Sequence, residues 1–323
     1  MLFTKSIIYD IIIVKIKCEY CFVLYILTLF KRADKMKTCV TTYSFGSYIS
    51  DDRLGIYGVI DKAAEIGFDG IEFTDGYWTE SMNVEKAKAV REYAIKKGLD
   101  LVAYCTGFDF INGSDGKLSD EIKRAHAITD FVAELGVKNM RFDVAYSGPV
   151  GKKVGISYYA CLSRMAEGCR EVSKIAESKG IGAMTENHGY FSQDSSRVEK
   201  LINETNHENF GALVDIGNFM CADEDPAMAV GNLAKYAKHV HVKDFFKKSG
   251  MEIDPGDTWF KTRAGNYLRG AVIGHGDAKV YQCIQILKSS GYDGYYSVEF
   301  EGIEDNLVGI ELGLKNLKRF LND

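Results

Sequence analysis

From Lys37 to the C-terminus, eight short apolar runs alternate with amphipathic stretches. The runs are TCVTTYS, FDGIEFT, LDLVAYC, VKNMRFD, IGAMTEN, FGALVDI, HVHVKDF and GYYSVEF. Near-continuous apolar runs of this length suit parallel strands buried on both faces. The stretches between them carry helical periodicity, as in NVEKAKAVREYAIKK (83–97) and SDEIKRAHAITDFVAEL (119–135). Ser119 is the expected N-cap of the second, with Asp120 and Glu121 in its first turn. Gly67, Gly98, Gly136, Gly180 and Gly291 each stand where a helix should end and a strand begin, the usual place for a left-handed residue. Eight strands alternating with helices imply a (β/α)8 TIM barrel. An open doubly wound sheet fits less well, because no Gly-rich phosphate-binding turn follows the first strand. A chain of 323 residues is long enough to close such a barrel as a single domain over residues 37–323.

Residues 1–36 read differently. An apolar run over 20–30 is followed by Lys31 and Arg32. It is too short to span a bilayer, and Asp10, Lys15, Lys17 and Glu19 interrupt any longer count. KRADKMK offers no small-residue cleavage site, whereas Met36 opens MKTCVTTYSFG, a natural first strand. The segment is therefore expected to be an N-terminal extension outside the fold, with no membrane role. The 8 cysteines are scattered singly apart from Cys18 and Cys21, which fits reduced thiols and a cytoplasmic protein. A net charge of −5 gives no reason to expect nucleic acid.

Four of the later runs close on a residue able to bind a metal: Glu186 in AMTENHG, Asp215 in ALVDIGN, His241 in HVHVKD and Glu299 in YYSVEFEG. In a parallel barrel the C-terminal strand ends converge on one mouth, so these four are brought together. Carboxylates with one imidazole form a hard donor set for a divalent ion, Mn2+ first, with Mg2+, Co2+, Fe2+ or Zn2+ as alternatives. The absence of a cysteine argues against a structural zinc. Taken singly, Glu186 and Asp215 read equally well as helix caps, and a lone histidine as a packing residue; the four in series favour a metal. His239 is read as facing away from the barrel interior.

Further residues are candidates for contacting a substrate. His188 follows Glu186 by two, and Asn218 follows Asp215 by three. Lys243 follows His241 by two and would bind an oxyanion or pair with Asp244. Glu72 closes the second run, and Arg141 lies in the fourth. The segment 245–277, without a convincing helix, carries Trp259, Lys261, Arg263, Tyr267, Arg269 and His275; it is expected to act as a lid or substrate-binding loop, with His275 as an acid or base.

The pieces ENHG, VDIGN, HVHVKD, GHGD and GYDGYYSVEFEG resemble the xylose-isomerase-like barrel superfamily of sugar isomerases, sugar epimerases, inosose dehydratases and apurinic endonucleases. The resemblance covers residues 37–323. It implies metal ligation by Glu186, Asp215, His241 and Glu299, and roles for Glu186 and Glu299 as acid and base on opposite faces of a sugar. A divalent-metal-dependent isomerase or epimerase working through an enediolate follows. The ketohexose 3-epimerases of the group place a histidine, an arginine and a glutamate where this chain has Asn218, Lys247 and Ser192, which speaks against that one substrate. The runner-up is a lyase or dehydratase on an oxidised sugar, similar to inosose dehydratases or to C-glycoside deglycosidase α-subunits, the latter implying a small second subunit. A sugar-binding barrel without catalysis is the alternative outside enzymes, and it predicts a missing ligand where none is missing. The DNA-repair branch needs many histidines, and this chain has 6. The expected partner is a small sugar or sugar derivative, with a homo-oligomer allowed.

Overall fold

The eight apolar runs all become strands of one closed parallel barrel. In chain order they are β1 (Lys37–Thr41), β2 (Gly70–Thr74), β3 (Asp100–Gly107), β4 (Asn139–Asp143), β5 (Gly182–Glu186), β6 (Phe210–Asp215), β7 (Ala237–Val242) and, after an excursion, β11 (Tyr295–Val298). Each strand hydrogen-bonds to its chain neighbour, and β11 closes the ring between β7 and β1. The computed structural model describes residues 36–76, 83–151 and 157–323. The expected extension falls outside these up to residue 35, including the run over 20–30 and Cys18 and Cys21. Lys37–Asp323 is one compact unit.

Eight helices follow the strands: α1 (Ile56–Ile66), α2 (Val84–Lys96), α3 (Leu118–Leu135), α4 (Tyr158–Glu177), α5 (Ser195–Thr205), α6 (Pro226–Leu233), α7 (Val280–Ser289) and α8 (Asn306–Asn322). Their apolar stripes cover the outside of the barrel, as strands apolar on both faces require. In β2, for example, Ile71 and Phe73 are fully buried and alternate with Glu72, which turns to the barrel interior. Burial of each such side chain contributes roughly 1.5–3 kcal/mol. Below the mouth the interior is filled by Cys39, Ala103, Cys105, Met184 and Leu213, none of them branched at Cβ.

All five junction glycines are left-handed, with φ from 70° at Gly180 to 92° at Gly67. The cap of α3 differs from expectation. Ser119 lies inside the first turn, and Lys117 at the cap position makes no side-chain cap bond. Glu121 serves the preceding loop instead, accepting from Asp109 N at 3.1 Å and Ser114 Oγ at 2.7 Å. Asn83 caps α2 as the start of its periodic stretch implies, with Oδ1 accepting from Lys86 N at 2.7 Å.

The segment after β7 is not a loop throughout. It forms a three-stranded antiparallel sheet from β8 (Asp244–Lys248), β9 (Phe260–Lys261) and β10 (Tyr267–Ala271), in the order β8-β10-β9. Short strands with polar flanks leave a weak signal in sequence, and here helix signals alone were informative. Asp223, just beyond β6, holds the sheet by accepting from Thr262 Oγ1 (2.8 Å), Ala264 N (2.5 Å) and Asn266 Nδ2 (2.8 Å). Arg263 adds bonds to Asp194 Oδ2 at 3.0 Å and Tyr190 O at 2.7 Å.

Candidate metal centre

Glu186 ends β5, Asp215 ends β6, His241 lies one residue before the end of β7, and Glu299 follows β11. Parallel pairing sets Asp215 opposite His241, and His241 opposite Ser297, so the ligand-bearing ends reach one level of the mouth. One donor atom from each of the four lies within 4.8 Å of the others. His241 Nδ1 is 2.9 Å from Glu299 Oε2 and 3.8 Å from both Glu186 Oε1 and Asp215 Oδ2. Asp215 Oδ2, His241 Nδ1 and Glu299 Oε2 are buried, and their close contacts with one another and with Lys243 are ion pairs without the alignment of a hydrogen bond. Buried polar atoms are seldom left so, and three converging on one point fit an ion.

The electrostatics point the same way. Burial pushes the Asp215 carboxyl above its ordinary pKa, and repulsion from Glu299 and Glu186 adds to this against the pull of Lys243. Burial opposes ionisation of Glu299 as well, but Lys243 and His241 outweigh it and hold that carboxyl well below the usual range. Lys243 Nζ lies 3.0 Å from Glu299 Oε2, 3.3 Å from Asp215 Oδ2 and 3.4 Å from Glu301 Oε2. These carboxylates overcome burial and hold the ammonium well above its normal pKa. Asp244 is not its partner; that side chain accepts from the backbone of Gly274, Gly276 and Ala278, fixing the turn before α7.

A cavity of about 390 Å³ opens above the cluster and is lined by Glu186, Glu299, His241, Lys243, Asn218, His188 and Arg141 among others. Asn218 joins the ligands to one another: its Nδ2 donates to Glu186 Oε1 (2.8 Å), its backbone N to Asp215 Oδ1 (2.9 Å), and its Oδ1 accepts from Lys243 Nζ (3.2 Å). Arg141 Nε lies 2.6 Å from Glu186 Oε2, and its Nη2 donates to Asp143 Oδ1 at 3.0 Å. Asp143 in turn faces His188 Nδ1 at 3.0 Å. Burial alone would lower the His188 pKa, but Asp143 holds it above the ordinary value.

Three expectations need correction. His275 is exposed on the turn after β10 and does not line the cavity. Its backbone N bonds to Val272 O at 2.9 Å, the local turn that carries it outward. Glu72 does not reach the cavity either; it is fully buried below the ligand level, bonded to two histidines. His239 does not face away from the interior. Residues two apart on a strand share a face, so His239 and His241 both point inward, and both meet Glu72. Of the excursion residues singled out in the sequence, none lines the cavity; Phe245 and Phe260 do, with ring centroids 5.6 Å apart.

Other cavity residues escaped the sequence reading. Glu301 lines the cavity and accepts from Tyr43 Oη at 3.2 Å; the sequence places it on one face with Glu299, nearer the loop, without giving it a role in the site. Asp143 closes the fourth run just as Asp215 closes the sixth. Tyr43, from the turn after β1, and Gln193 carried no comparable mark. Glu72, Cys105 and His241 form a second group able in principle to bind an ion. However, the Cys105 thiol donates to Glu72 at 3.3 Å, and burial pushes its pKa up, so a thiolate ligand is disfavoured there. Among the described residues, no helix is long and apolar enough to cross a membrane.

Residues 60–320 match the family model described as the xylose isomerase-like TIM barrel. Inosose dehydratase 2 of Bacillus cereus is 24% identical over 257 residues, covering 75% of this chain and 80% of that protein. Inosose dehydratase of Clostridium perfringens is 29% identical over 140 residues, covering 42% and 46%. Among solved structures, the IolI protein with a bound zinc atom superposes with a TM-score of 0.68 at 18% identity, over 89% of this chain and 98% of that one. L-ribulose 3-epimerase gives 0.65 at 14% identity, over 88% and 96%.

Proposed function

Since the chain belongs to the xylose isomerase-like TIM barrel family, we propose that it is a divalent-metal-dependent enzyme that removes a proton beside the carbonyl of a small polyhydroxylated substrate, isomerising or epimerising it. The observation that carries this reading is the convergence of Glu186, Asp215, His241 and Glu299, three of them with a buried donor atom lacking any hydrogen bond. The hard donor set suits Mn2+ first; structures of similar fold hold zinc or magnesium.

A divalent ion held by these four residues would polarise the carbonyl and its neighbouring hydroxyl and acidify the intervening C–H. The remaining work falls to side chains. Arg141 and Asn218 fix Glu186, and Lys243 fixes Glu299, so the two carboxylates are held by different cations. One would accept the proton from carbon; the other, protonated from solvent, would deliver a proton to the adjacent carbon or the opposite face, and the first would then release its proton to solvent, so the count closes. The ammonium of Lys243 stabilises the oxygen on which negative charge grows. Phe245 and Phe260 shield the reacting carbon from water.

A second reading is elimination of water or an aglycone. His188 favours it, because an imidazole held above its ordinary pKa by Asp143 at the cavity wall can protonate a departing oxygen. The names of the B. cereus and C. perfringens relatives point the same way. Incubation with keto-sugars, cyclitol ketones and 3-oxo-glycosides in D2O separates the two. Deuterium beside the carbonyl without loss of water or aglycone supports isomerisation, and release supports elimination. Absence of both across the panel, with metal bound, would refute an enzyme acting on such substrates.

A further inference from the structure

Glu72 sits in the barrel lumen beneath the ligand cluster, fully buried. Its Oε1 accepts from His241 Nε2 at 2.8 Å and its Oε2 from His239 Nε2 at 2.6 Å. It comes from β2, while both histidines come from β7, and β1 and β11 separate these strands in the ring. The carboxylate therefore spans the lumen.

Each Glu72 oxygen engages the Nε2 of one imidazole. With its Nε2 engaged there, His241 turns its other ring nitrogen, Nδ1, toward Glu186, Asp215 and Glu299. We propose that Glu72 is a positioning residue for the metal centre: it fixes the ring orientation and tautomer of His241, and His239 anchors it from the other oxygen. The proposal rests on the metal-centre reading above. A carboxylate behind a ligating histidine also raises the basicity of the ligand nitrogen. The period-two spacing of His239 and His241 acquires a purpose from this, since one side chain can grip both rings only if both point inward.

The test is Glu72→Gln, which keeps size and one acceptor oxygen but turns a donor toward one imidazole. Zn2+ and Mn2+ affinities are measured by chelator competition on purified protein, with thermal melts of the metal-free forms. Long-range 1H–15N spectra of the Zn2+-loaded protein report which His241 nitrogen carries the proton. We expect affinity to fall about 10–100-fold, with Nε2 protonated in the wild type and the pattern altered in the variant. His239→Phe, which removes the anchor without touching Glu72 or His241, should weaken binding in the same direction by a smaller factor and serves if the first variant does not fold. A wild type that binds no ion overturns the metal-centre reading itself. A wild type that binds, with Glu72→Gln and His239→Phe matching it within about twofold, overturns the positioning role alone, even if both variants melt lower.

Discussion

Asp215→Asn separates a metal ligand from a structural cap, because asparagine keeps the cap bond and loses the ligand charge. Asp215 is fully buried. Its Oδ1 accepts from Asn218 N at 2.9 Å, a bond that an asparagine oxygen retains. Its Oδ2 makes no hydrogen bond and lies 3.3 Å from Lys243 Nζ. Burial, with Glu299 and Glu186 adding repulsion, raises its folded-state pKa above the unfolded value. A carboxyl so raised subtracts stability wherever it is ionised in the fold, so the neutral amide should leave the metal-free protein at least as stable at pH 7–8. The ion, by contrast, loses one full ligand charge. Two unit charges about 4 Å apart in an effective dielectric of about 20 interact by roughly 4 kcal/mol. A divalent ion doubles that, and the water it sheds on binding offsets part, leaving a loss of about 3–4 kcal/mol, or two to three decades in Kd. Chelator competition reads the affinity, and melts with and without EDTA read the stability. A variant that binds the ion within about twofold of the wild type would mean that the Asp215 carboxylate acts only as a turn cap, a role asparagine keeps, and would refute the reasoning.

Glu186→Gln preserves shape but removes the proton acceptor; deuterium incorporation should fall about 10²–10⁴-fold with an unchanged circular dichroism spectrum, and retention of more than a tenth of the rate would exclude Glu186 as a base. Glu121 is nearly inaccessible and, despite burial, is held below its ordinary pKa by Arg124, Ser114 and Asp109 N. Its contribution is therefore present above the unfolded-state pKa and disappears as pH falls through the folded one; Glu121→Gln should cost about 1–2 kcal/mol in urea melts at pH 7, with the gap to wild type closing in acid. Gly136 has φ 81° and a Cβ there would come 2.7 Å from Arg91 Cδ, so Gly136→Ala should destabilise by about 1–2 kcal/mol. Gly231 within α6 has nothing within 4 Å of such a Cβ, and Gly231→Ala should stabilise by up to about 1 kcal/mol; equal effects at the two sites would contradict the left-handed assignment.

The barrel was legible because its signals are repeated. Apolar runs, helical periodicity and junction glycines each recur around the ring, so an error at one place, such as the Ser119 cap, leaves the architecture intact. The four ligands share a single mark, an ionisable residue closing an apolar run. That mark also fitted Asp143, which binds Arg141 instead, and Glu72, which closes its run from below the ligand level. Height within the lumen depends on strand stagger, which no local pattern encodes. His239 was misplaced by a parity slip, although the rule that corrects it is itself a sequence rule. The excursion was read for what it lacked, a helix, and its strands were too short and polar to show. The residues singled out in it were charged or conspicuous, whereas the ones that reach the cavity are Phe245 and Phe260, ordinary aromatics until the sheet aims them.

The excursion leaves the barrel through one residue, Lys243, which alone separates β7 from β8. Three further attachments are side-chain and backbone bonds to Asp194, Asp223 and Tyr190. A graft that replaced residues 249–266 and left these three positions to hold the incoming segment would exchange the Phe260 wall of the cavity without altering any of the four ligand positions. On the proposed function, reaction type and substrate range would be separately heritable in this chain: one written on the barrel strands, the other on a replaceable sheet.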